Sequence, residues 1–77
     1  MRQRGPQPDH PELVEPLTTR ESEVLRLVCA GKSNQEIAEA LFLSLSAVKK
    51  YTGNLYGKLG VASRGQAIAK ARDLKLT

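Results

Sequence analysis

Seventy-seven residues, 40% hydrophobic and 26% charged, allow one small globular domain with a limited core. One cysteine, Cys29, and one histidine, His10, exclude a disulfide framework, a cysteine-based zinc site and a multi-histidine centre, so neither enzymatic activity nor a cofactor or metal is expected. The formal charge of +4 is uneven: residues 44–77 carry Lys49, Lys50, Lys58, Arg64, Lys70, Arg72 and Lys75 against Asp73 alone, whereas residues 1–17 and 18–43 each sum to −1. A basic C-terminal half favours nucleic acid, an acidic protein or an anionic surface as partner. No apolar run approaches the about 20 residues that span a bilayer. No apolar leader follows Met1. A membrane role is therefore not expected, and a cytoplasmic location is.

Pro6, Pro8, Pro11 and Pro16 crowd the N-terminus, where only Leu13 and Val14 are large and apolar after Met1. Residues 1–16 are expected to form a flexible tail or linker ahead of a domain over 17–77. Thr18 to Glu21 has the pattern of a capping box, in which a hydroxyl and a carboxylate satisfy each other's backbone amides. Val24, Leu25 and Val28 then form an apolar stripe widened by Leu27, and Gly31 is a natural stop. A second capping box, Ser33 to Glu36, opens a short helix carrying Ile37, Ala38 and Leu41. Ser44 caps a third helix running to Gly60. Ser63 caps a fourth over about 64–75, with Ala67, Ile68, Ala71 and Leu74 toward the core. No stretch alternates with period two, so the expected fold is all-α, four helices joined by short turns.

The second and third helices, about 34–41 and 45–58, are separated only by Phe42, Leu43 and Ser44, the spacing of a helix-turn-helix. Phe42 falls where glycine is often preferred, because that turn takes a positive φ. At 100° per residue, Val48, Thr52, Leu55 and Leu59 share one face of the third helix, with Leu45 and Tyr51 flanking them. Opposite lie Ser46, Lys49, Lys50, Gly53 and Gly57, with Asn54 at the margin. A basic outer face of this kind suits a major groove, where lysine donates to guanine and asparagine pairs with adenine. Gly53 and Gly57 each cost about 1 kcal/mol against alanine inside a helix. Either bare backbone there permits close approach to DNA, or the positions are tolerant surface.

The chain from Leu17-Thr18-Thr19-Arg20-Glu21 through Gly31-Lys32-Ser33-Asn34-Gln35-Glu36-Ile37-Ala38, Ser44 to Lys49, and Asn54-Leu55-Tyr56-Gly57-Lys58-Leu59-Gly60-Val61 to Ser63-Arg64 resembles the LuxR-type helix-turn-helix domain. The resemblance covers about residues 12–77. It is strongest to the C-terminal domains of large, ATP-dependent MalT-like activators, on the strength of the run from Asn54 to Val61. It implies a sequence-specific double-stranded DNA-binding output domain of a bacterial transcriptional regulator, an activator. The third helix would enter the major groove, and the fourth would be a dimerisation element. Carried over by position, Ser46, Lys49, Lys50, Gly53 and Asn54 would face bases, and Ser33, Asn34 and Lys58 would meet phosphate. The chain departs from the family pattern in having Ala47 for a usual threonine, Tyr51 for a usual histidine, and Gly53 where many members carry a long polar residue.

Gly65, Ala69 and Leu76 form a small-residue strip on the fourth helix, either a homodimer surface or an ordinary exposed face. Arg64 is assigned either a phosphate or an internal carboxylate such as Glu21; Glu21 reads as a cap and ion-pair partner; Cys29 reads as a packing residue. RNA polymerase is a further candidate partner. The alternative function is a helical protein-interaction module that docks an acidic partner on the basic face.

Overall fold

The computed structural model describes residues 16–76. The flexible tail expected over residues 1–16 falls, except for Pro16, outside them. Four helices follow in order: α1, Thr19–Cys29; α2, Asn34–Leu41; α3, Leu45–Leu59; and α4, Arg64–Asp73. The described residues contain no strand.

Each helix is bracketed by local chemistry at both ends. Thr18, Ser33, Ser44 and Ser63 cap the four starts in extended conformation, each hydroxyl accepting from the amide three residues on. Such caps stabilise a helix by about 1 kcal/mol each. Both expected capping boxes are complete. The Thr18 amide donates to Glu21 Oε1 at 2.9 Å and the Ser33 amide to Glu36 Oε1 at 2.8 Å. The four ends share one motif as well. A residue in left-handed conformation follows the last turn, and the next amide reaches back five residues: Lys32 to Leu27, Leu43 to Ala38, Val61 to Tyr56 and Leu76 to Ala71, at 2.9–3.1 Å. These bonds satisfy carbonyls that would otherwise be orphaned. Glycine supplies the left-handed residue twice, at Gly31 and Gly60, and Phe42 and Lys75 supply it at φ 58° and 57°. The left-handed Lys75 is why α4 stops at Asp73, short of the 75 expected from the sequence.

The core is a single cluster of Val24, Leu25, Val28, Ile37, Ala38, Val48, Leu55, Leu59, Ala67 and Ala71. The periodicity of α1 and α3 therefore has the expected orientation: Val24, Leu25 and Val28 from α1 meet Val48, Leu55 and Leu59 from α3. Both helices pack on all three of the others, whereas α2 and α4 do not touch each other. Leu76, expected on the exposed strip of α4, instead turns back and packs half-buried against the core, because the left-handed residue before it reverses the chain. Gly65 and Ala69 remain exposed.

Two charged groups act inside the fold. Lys58 Nζ lies 2.7 Å from Glu21 Oε1, the two side chains only 16% and 6% exposed, and 3.3 Å from the Pro16 carbonyl oxygen. Arg64 Nη2 donates to the carbonyl oxygens of Val28, at 3.4 Å, and Lys32. The intramolecular partners of Arg64 are thus these carbonyls rather than Glu21: the guanidinium ties the start of α4 to the corner between α1 and α2, whose carbonyls the helix end leaves available. None of the described helices is long and apolar enough to cross a membrane.

Candidate nucleic-acid interface

Helix α3 has two sharply different faces. Val48, Leu55 and Leu59 are buried to 1% exposure or less. Thr52 is buried beside them, its hydroxyl donating to the Lys49 carbonyl at 2.9 Å, so the one polar side chain on that face is satisfied within the helix. Ser46, Lys49, Lys50, Gly53, Asn54 and Gly57 are all exposed. The arrangement expected from the wheel is therefore present, and the five residues read as base-facing stand together on one outward surface.

The start of α3 differs from those of α1 and α2. Glu21 and Glu36 place a carboxylate in the first turn of those helices, against the positive end of the backbone dipole, while α3 has no acidic residue there. With Ala47 at the third helical position there is no side chain to reach back to the cap. The positive end of α3 thus stays uncompensated, and Lys49 and Lys50 add to it one turn on. This combination attracts an anion.

At the start of α2, the Ser33 hydroxyl accepts from the Glu36 amide at 3.1 Å. The Ser33 amide holds the Glu36 carboxyl below the usual carboxylate range, with the Lys32 charge contributing. Ser33 is exposed and Asn34 half-buried. The hydroxyl proton of Ser33 and the amides of Asn34 and Gln35, which have no acceptor inside the helix, remain as donors. Lys58, expected to meet phosphate, is instead engaged with Glu21 and Pro16 and is half-buried. Its α3 position faces α1 rather than the outer surface, and a pairing across 37 residues of sequence leaves no local signature. The apolar exposure at the turn also escaped the sequence pattern: Phe42 is 94% and Leu45 44% exposed.

The model of the family described as bacterial regulatory proteins, luxR family, matches residues 15–71. Among solved structures, the response regulator ChrA of a heme-sensing two-component system is 40% identical with a TM-score of 0.78, over 82% of this chain and 31% of that one. The Vibrio cholerae VqmA dimer in the absence of target DNA is 41% identical with a TM-score of 0.78, over 79% of this chain and 28% of that one. The VqmA–ligand–DNA complex is 41% identical with a TM-score of 0.76, over 79% and 27%. The chain thus spans less than a third of the length of these relatives. Matched by the family model over most of its length and by these structures at 40% identity or more, the chain belongs to the luxR family of bacterial regulatory proteins, whose helix-turn-helix domains typically bind DNA in transcriptional regulators.

Proposed function

We propose that this domain binds double-stranded DNA sequence-specifically as the output module of a cytoplasmic bacterial transcriptional activator, with α3 lying in the major groove. The observation that carries the reading is the outer face of α3: basic, hydrogen-bonding and fully solvent-facing, at a helix start with no acidic residue. Lys49 and Lys50 supply positive charge and donors for guanine, Ser46 and Asn54 add hydrogen-bonding groups, and Gly53 lets the backbone approach. Ser33 and Asn34 position the domain through phosphate. Binding involves no covalent chemistry. The run from Asn54 to Val61 supports the MalT-like branch of the family. The exposed Gly65 and Ala69 are the surface on which a second copy would pack, and RNA polymerase is the partner an activator requires.

Lys49→Ala tests this reading, because Lys49 lies outside the core and its removal should leave folding intact. If Lys49 reads a base, the variant loses about 1–3 kcal/mol of binding and relaxes preference at one base position. If it meets only phosphate, the loss is similar on all duplexes and the salt slope falls by about one unit. Unchanged binding to every duplex at low and moderate salt would instead favour docking of an acidic protein on this face.

A further inference from the structure

We infer that Leu45 reads the 5-methyl group of a thymine, a contact that rests on the DNA-binding reading above. Phe42 and Leu45 are the large apolar side chains left exposed among the described residues, at 94% and 44%, and they flank the cap Ser44. Leu45 is the first residue of α3 and lies four residues, one turn, before Lys49 on adjoining helix surface. The first turn of a recognition helix is the part that meets base edges, and here it consists of Leu45, Ser46 and Ala47, with no charge. A leucine neither donates nor accepts a hydrogen bond. Pressed against guanine, cytosine or adenine it would strip water from a polar base edge and return nothing. The thymine methyl is the apolar group that a base pair presents in the major groove. The rise from Leu45 to Lys49 is about 6 Å, and successive base pairs are about 3.4 Å apart. The thymine therefore lies within about two base-pair steps of the base nearest Lys49.

The test uses the 77-residue chain and the duplex it enriches from a random library. Each thymine is replaced singly by deoxyuridine, which removes only the methyl. One replacement should weaken the wild-type chain about fourfold, the worth of one buried methyl group. Leu45→Ala should melt at the wild-type temperature and be indifferent to that same replacement. Leu45→Gln, whose polar amide gains nothing from a methyl group, should likewise be indifferent to that replacement. If no deoxyuridine weakens the wild type, or if one weakens wild type and Leu45→Ala equally, Leu45 does not read a methyl, while DNA binding itself stands. If the wild type enriches no duplex, the contact and the proposed function fall together.

Discussion

Glu21 Oε1 accepts from the Thr18 amide at 2.9 Å and from Lys58 Nζ at 2.7 Å, so one oxygen joins the cap of α1 to the last turn of α3. Burial pushes this carboxyl up, but the Lys58 ammonium and the Thr18 amide outweigh it and hold it below the usual carboxylate range. The folded-state value thus lies below that of the unfolded chain. The stabilisation is complete above about pH 4.3, the ordinary glutamate value, and is lost as pH falls through the lower folded value. Glu21→Gln should cost about 1.5–3 kcal/mol at neutral pH and should flatten part of the acid-side decline in melting temperature; an unaltered acid limb would place that decline elsewhere. Phe42 presents the opposite case. It holds φ 58° with 94% of its surface in water, so it bears left-handed strain without burying its ring. Phe42→Gly should raise stability by about 0.5–1 kcal/mol, and a fall in melting temperature would show that the ring has packing partners in solution.

Helices here are legible because their boundaries are written within three to five residues. A hydroxyl and the amide three positions on define each start, and an amide reaching back five residues defines each end. Both capping boxes, the Ser44 and Ser63 caps and the buried face of α3 follow from the sequence for that reason. The end of α4 does not, since lysine at a left-handed position has no sequence signature comparable to glycine, and the half-buried place of Leu76 depends on the same reversal of the chain. Gly53 and Gly57 lie inside α3, where an added Cβ meets nothing within 4 Å. Gly53→Ala and Gly57→Ala should therefore each stabilise the domain by about 0.5–1 kcal/mol. If the bare backbone serves close approach to DNA, Gly53→Ala should weaken binding even as melting temperature rises, and stabilised variants with full affinity would mark these glycines as tolerant surface.

Across the whole molecule, the candidate face was readable from helical spacing, but the division of cations between surface and interior was not. Lys58 pairs over 37 residues and Arg64 over 32 and 36, separations at which only the assembled fold brings partners together. The basic excess of the C-terminal half is consequently larger in the sequence than on the outer face of α3. Lys58→Ala should lower melting temperature, by about 1.5–3 kcal/mol of stability, and leave the salt slope of DNA binding unchanged; a slope reduced by about one unit with unaltered melting would restore Lys58 to the phosphate contacts. Arg64 has a different kind of consequence. Its guanidinium grips the Lys32 carbonyl, immediately before the Ser33 cap of α2, although α2 and α4 share no packing. The side chain acts as a tie-rod across the gap: a tilt of α4 must either break that bond or drag the capped start of α2 with it.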